Sequence, residues 1–177
     1  MKNNKTKTIA GVGLLGAVTI VLTLISNFIQ IGTISINLSL FPIVLAGILY
    51  GPFAGLTCGI INGLFVLLAP STAAFFALTV PGTIIVCIVK TGFAGLVTGL
   101  IYKFIKNKSL AITLACILAP FINTTMFILL ALIFFGSGFK ELITIFVSIN
   151  FAIEFGATII LTPSTKAIIN NKKVNNQ

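Results

Sequence analysis

Two charged residues inside apolar segments, Lys90 and Glu154, are the strongest candidates for binding chemistry in this chain. Lys90 follows Pro81 by nine residues, which puts it roughly 13 Å into a hydrocarbon core about 30 Å thick. A charge at that depth costs about 2.5–3.5 kcal/mol on insertion scales, so it needs a partner, a polar cavity or an anionic ligand. The two residues therefore predict either a structural ion pair or a receptor for an anion.

Amide side chains supply further polar atoms at membrane depth. Asn150 precedes Glu154 by four residues and so lies on the same face of a helix. Asn123 follows Pro120, which frees a backbone carbonyl, and the amide and the carbonyl together make a local polar spot. Asn62 flanks a run of glycines, where an amide is either an interhelical hydrogen-bonding group or a ligand contact. All three amides are candidate substrate contacts.

An uncharged segment at residues 70–79 separates two apolar runs. It is too short and broken to span a membrane and too apolar to lie fully in water. Such a composition suits a lid over an external opening. The adjacent rings of Phe75 and Phe76 are therefore candidate contacts for the apolar part of a ligand.

Enzymatic and metal chemistry are disfavoured by the residues that the chain contains. It has no His and no Asp, and one carboxylate inside an apolar run leaves too few groups for acid–base or metal-assisted reactions. It also has no G-x-x-x-x-G-K-[ST] phosphate-binding loop. The three cysteines fall in apolar runs without metal-ligand spacing and are interpreted as packing residues. We therefore expect no catalytic residue, no metal and no cofactor.

The composition predicts an integral membrane protein. Hydrophobic residues make up 58% of the chain and charged residues 7%, whereas soluble domains carry about 25% charged residues. The net charge of +9 comes from eleven lysines and two glutamates. Because the lysines lie mostly at the ends of apolar runs, we expect them to face anionic lipid headgroups, and nucleic acid is not an expected partner.

Apolar runs of helical length must position these side chains. The first run, residues 8–28, is long for a signal peptide and lacks a small-residue cleavage site, so it predicts a retained helix. The fold class is therefore an all-α integral membrane protein, with residues 1–177 forming a single membrane domain, a compact bundle of six transmembrane helices. The helices are expected at residues 8–28, 40–50, 52–69, 80–103, 109–135 and 142–162, with tails at about 1–7 and 168–177.

Small residues spaced four apart mark helix faces that allow close approach. Gly13 and Ala17 form such a strip on the first helix, which indicates either packing inside the protein or a contact with another subunit. Gly55, Gly59 and Gly63 form a seam on the third helix against which a neighbouring helix can lie.

The placement of the lysines predicts the orientation. If the helices alternate, the N-terminal tail, the loop at residues 103–108 and residues 166–177 share one side and hold nine of the eleven lysines. That side is cytoplasmic by the positive-inside rule. We therefore expect a multi-pass protein of the cell membrane with both termini in the cytoplasm and Lys90 in the outer half of its helix.

Four segments of the chain resemble one family, the S-components, or substrate-binding membrane subunits, of energy-coupling factor (ECF) vitamin transporters. They read ISINLSLFPIVLAGILYGPFAGLTCGIINGLF at 34–65, PGTIIVCIVKTGFAGLVTGLIYK at 81–103, LAPFINTTMFIL at 118–129 and INFAIEFGATIILTPSTKAI at 149–168. The resemblance implies a six-helix subunit that binds one vitamin near its extracellular face. It also implies docking with a transmembrane coupling subunit and two ATPase subunits through small residues on the first helix, which fall here on Gly13 and Ala17.

Two other classes of function stay open from the residues alone. A self-sufficient carrier or channel for small solutes would be expected to show internal repeats or polar residues along the full membrane depth. An intramembrane enzyme is disfavoured by the shortage of ionisable groups.

Among the vitamins that the family handles, pantothenate best suits a site with a lysine and several asparagines. Its carboxylate would pair with Lys90, and its hydroxyl and amide groups would meet the asparagines. Riboflavin is the alternative, but its uncharged planar ring needs a stacking surface, and the chain has no Trp. If Glu154 neutralises Lys90, charge does not discriminate between the two vitamins.

Overall fold

The structure, a computed structural model, describes residues 2–28, 30–31, 34–35, 38–136 and 140–174, with side chains described for residues 6–27, 38–136 and 151–169. The apolar runs form helices, which confirms the predicted all-α class. The helices are α1 (Lys2–Phe28), α2 (Leu40–Tyr50), α3 (Pro52–Val66), α4 (Ala73–Phe76), α5 (Val80–Phe104), α6 (Lys108–Phe135) and α7 (Lys140–Val174). A 3₁₀ turn, Pro70–Thr72, precedes α4.

The first and last helices extend beyond the bounds predicted from the sequence, and the connection between α1 and α2 contains two short strands. Helix α1 begins at Lys2 and α7 continues to Val174, so much of the predicted tails is helical. No glycine lies in either tail, and lysine is a good helix former, so the helices extend past the apolar runs. Between α1 and α2, two short antiparallel strands, β1 (Gln30–Ile31) and β2 (Ile34–Ser35), form a hairpin.

Four helices among the described residues are long and apolar enough to cross a membrane by themselves: residues 6–27 of α1, all of α5 and α6, and residues 151–169 of α7. Helix α3 and the segment Pro70–Phe76 pass the same test only as a pair bent by 78°, which gives up to five spans. Helix α2 is apolar but shorter. Length and composition therefore support a multi-pass protein with four or five spans, and a count of six depends on α2.

Helix α2 lies at the centre of the bundle. Every residue from Pro42 to Ile48 is buried, as expected for a helix that is apolar on all faces. One of its sides packs with Cys58 of α3 and with α1, and the other with α6 and Ile169 of α7. Gly51 has a φ of 101°, a conformation that favours glycine, and lets Pro52 start α3 immediately after α2.

Helices α3 and α5 lie in backbone contact along the predicted glycine seam of Gly55, Gly59 and Gly63. A Cβ atom added at Gly55 would overlap the carbonyl of Gly95, and one at Gly59 would overlap that of Thr91. The hydroxyl of Thr91 donates a hydrogen bond of 2.7 Å to the carbonyl oxygen of Gly59. The predicted seam is therefore confirmed, and it fixes α5, which carries Lys90, against α3.

Candidate functional site

A buried hydrogen bond joins α6 to α7. Asn123 Nδ2 donates to Glu154 Oε2 over 3.1 Å, and the two residues are 2% and 1% exposed. Because an ionised carboxylate only accepts hydrogen bonds, the NH₂ end of the amide must face it. The other end, Asn123 Oδ1, is buried and has no hydrogen-bond partner among the described residues. The pair therefore leaves one unused acceptor at membrane depth.

Lys90 lies against an aromatic ring of α6. Its Nζ is 5.0 Å from the centre of the Phe127 ring, and such a contact is worth about 0.5–2 kcal/mol, the more so the less water reaches it. Lys90 is half-buried, so the contact offsets part of the roughly 2.5–3.5 kcal/mol needed to place an ammonium in the membrane. Unlike a carboxylate partner, the ring carries no net negative charge and so does not neutralise the ammonium.

The two charged residues therefore face neighbouring turns of the same helix. Phe127 follows Asn123 by four residues, which corresponds to about 6 Å along the axis of α6. Within the described side chains Glu154 is joined to Asn123 and Lys90 to Phe127, and no ion pair joins the two charges. Sequence reasoning missed Phe127, because nothing in the sequence distinguishes this ring from the other phenylalanines of an apolar helix.

The segment that was predicted as a lid contacts the same ring. Phe75 of α4 lies 5.8 Å from Phe127 in an edge-on arrangement and 5.7 Å from Phe135. These rings pack against the buried Ala131 of α6. Phe76 is half-buried, and no ring contact of Phe76 is found in the described part of the chain. Of the two predicted lid rings, the structure thus brings only Phe75 to Phe127.

Asn62 belongs to a different polar cluster, which connects α1, α2 and α3. Its Oδ1 lies 2.7 Å from the hydroxyls of Thr23 and Ser39, and its Nδ2 is buried without a partner in the described residues. The Thr23 hydroxyl is also 2.7 Å from the carbonyl of Thr19, and it has only one proton to donate. With the amide turned end for end, Nδ2 donates to both hydroxyls and Oδ1 becomes the unpaired atom. In either orientation the contacts of Asn62 are interhelical.

Asn150 lies on α7 one turn before Glu154, but its side chain is outside the described residues. The outer face of α1 is described, and there the predicted strip of small residues faces away from the bundle. Gly13 and Ala17 are exposed, and a Cβ atom at Gly13 would have nothing within 4 Å. By contrast, a Cβ atom at Gly16 would lie 3.2 Å from Ile61. Packing inside the protein therefore does not explain the strip at Gly13 and Ala17.

The fold and the site define a class, an α-helical multi-pass membrane protein with a small polar cluster between its helices. In the described part of the chain no group of His, Cys, Asp or Glu is arranged to hold a metal. The family model of the substrate-specific component of ECF transporters matches residues 7–165. The chain belongs to this family of transporter components, as the sequence predicted, and not to an enzyme family. Comparisons with curated proteins and with solved structures gave no match.

Proposed function

We propose that this chain captures a small anionic vitamin, pantothenate being the leading candidate, outside the cell and delivers it for ATP-driven uptake. The observation that carries the proposal is the position of Lys90, whose ammonium lies on an uncharged ring 5.0 Å away. Among the described residues no carboxylate forms an ion pair with this ammonium, and an ammonium in that state at this depth favours an anionic ligand, since the ligand would supply the opposite charge.

The polar atoms near Lys90 complement the rest of such a ligand. Asn123 Oδ1 is an acceptor without a partner in the described part of the chain, about one helical turn from the ring that Lys90 contacts. A ligand with an anionic group and, several ångströms away, an N–H or O–H donor would satisfy both positions. Pantothenate carries a carboxylate, an amide N–H and two hydroxyls, and its methyl groups would contact Phe75. Glu154 and Asn150 are proposed to complete this polar side of the site.

Riboflavin is the second candidate because the structure contains an aromatic surface that the sequence did not suggest. The ring of Phe75 lies 5.8 Å from that of Phe127 and 5.7 Å from that of Phe135. Phenylalanine rings can stack on a planar ligand without any Trp. A planar ligand held in this way would not depend on the charge of Lys90.

Calorimetry on the purified protein with pantothenate and with riboflavin tests the substrate. The measurement is repeated on Lys90→Met and on the control Lys103→Met, which removes an exposed lysine lying 5.8 Å from the ring of Phe104. Pantothenate binding that is lost in Lys90→Met and kept in Lys103→Met supports the proposal. Riboflavin binding that is indifferent to Lys90 refutes it.

We also propose six membrane crossings with both termini in the cytoplasm. Helix α2 has eleven residues, about 16 Å of helix, and would cross only part of the membrane within a cover of other helices. Counting α2 and α3 as separate crossings puts the start of α1, the α5–α6 connection and the end of α7 on one side. That side holds nine of the eleven lysines, as the positive-inside rule requires of a cytoplasmic face.

The partner is proposed to be an energy-coupling module made of a transmembrane coupling subunit and two ATPase subunits. The exposed strip at Gly13 and Ala17 supports a docking face on α1, because small residues there leave room for a partner helix to approach closely.

A further inference from the structure

Phe127 lies between two parts of the proposed site that are far apart in the sequence. On one side, the ammonium of Lys90 from α5 is 5.0 Å from its ring centre. On another, the ring of Phe75 from α4 is 5.8 Å away with an angle of 84° between the ring planes. One ring of α6 therefore contacts both the proposed anion-binding group and the proposed lid.

The aromatic character of Phe127 matters for both contacts. The π face of the ring is negative and its edge is positive, so the face attracts an ammonium and edge-on packing suits a second ring. An ammonium has three N–H donors, so contact with a ring leaves donors for a second partner. A leucine at position 127 would fill much of the same space and would offer neither interaction.

We infer that Phe127 is a positioning residue: its ring holds the Lys90 ammonium in place for the anionic group of the substrate and anchors the lid segment beside it. This inference rests on the proposed function for its substrate, a compact anion. The long lysine side chain has several rotatable bonds, and fixing its head group before binding lowers the ordering needed when the ligand arrives. Loss of the ring is therefore expected to weaken the binding of an anion although Lys90 remains.

Binding of pantothenate to the full-length protein is compared in Phe127→Leu, Phe127→Tyr and Phe121→Leu. Phe121 lies on the same helix, is 55% exposed and packs near Phe151, so it controls for losing a ring from α6. Phe127→Leu is expected to weaken binding about tenfold, whereas Phe127→Tyr and Phe121→Leu stay close to wild type. Equal affinities of Phe127→Leu and wild type would overturn the inference.

A second measurement reports on Lys90 without any ligand. The lysines are dimethylated with ¹³C-formaldehyde, and the Lys90 resonance is assigned by its loss in Lys90→Met. Methyl groups above a ring face are shifted upfield by the ring current, so the resonance is expected upfield in wild type and Phe127→Tyr, and unshifted in Phe127→Leu. An unshifted resonance in wild type would overturn the inference. Absence of pantothenate binding by wild type refutes the proposed substrate, and the resonance then still decides whether Phe127 positions Lys90.

Discussion

Asn123 donates a hydrogen bond of 3.1 Å to Glu154, and this contact joins α6 to α7 where both residues are almost fully buried. The carboxylate holds the amide in one orientation and thereby directs Asn123 Oδ1 away from α7. One interhelical contact thus has two effects, since it links the helices and presents an acceptor to the interior of the bundle.

Asn123→Leu is expected to lower the free energy of unfolding by about 1–3 kcal/mol, because a buried carboxylate loses a hydrogen-bond donor. Thermal unfolding of the purified protein in detergent measures the change. Thr125→Val is the control, since the Thr125 hydroxyl bonds only to the Phe121 carbonyl of its own helix among the described contacts. Equal melting temperatures for Asn123→Leu and wild type would show that the hydrogen bond between Asn123 and Glu154 does not stabilise the fold.

Gly59→Ala is expected to destabilise the protein strongly, by about 3 kcal/mol or more, because the added Cβ atom meets the backbone of Thr91 and backbone cannot swing aside. Size-exclusion chromatography and thermal unfolding test this expectation. Gly156→Ala is the matched control, since a Cβ atom there has nothing within 4 Å. Comparable melting temperatures for the two variants would speak against backbone contact between α3 and α5.

Gly13→Leu is expected to abolish uptake in cells while the isolated protein still binds its ligand. The position is exposed and open, so a bulky side chain disturbs a docked partner and leaves the bundle intact. Gly13→Ala keeps the surface small and is expected to retain uptake. If the Gly13→Leu variant still takes up the ligand, the strip at Gly13 and Ala17 is not a docking face.

A cysteine at Asn175, which lies outside the described residues, is expected to resist a membrane-impermeant thiol reagent added to intact cells. A cysteine at the exposed Ala74 of α4 is expected to react. The native cysteines Cys58, Cys87 and Cys116 are buried and give little background. Efficient labelling at position 175 from outside would reverse the proposed orientation.

The all-α class and the glycine seam could be predicted from the sequence, because they depend on local composition and on residues four apart, and the family was predicted from the resemblance of four segments. It did not predict where each polar side chain points. Asn62 and Asn123 are both amides in apolar helices, yet one contacts Thr23 and Ser39 and the other contacts Glu154. Phe127 was missed because a phenylalanine in an apolar helix looks like any other core residue until α4 and α5 are packed against it.

The backbone contact between α3 and α5 restricts how the protein can change shape. Where glycine packs on a carbonyl, a slide of an ångström or two would drive backbone into backbone, and the next fitting register is a four-residue step, about 6 Å away. The seam therefore permits only discrete positions of α5 relative to α3, and the two helices, with Lys90 on α5, should move as one rigid unit. Opening and closing of the bundle are then left to contacts lined by longer side chains, such as that between α6 and α7, where each helix also contains a proline.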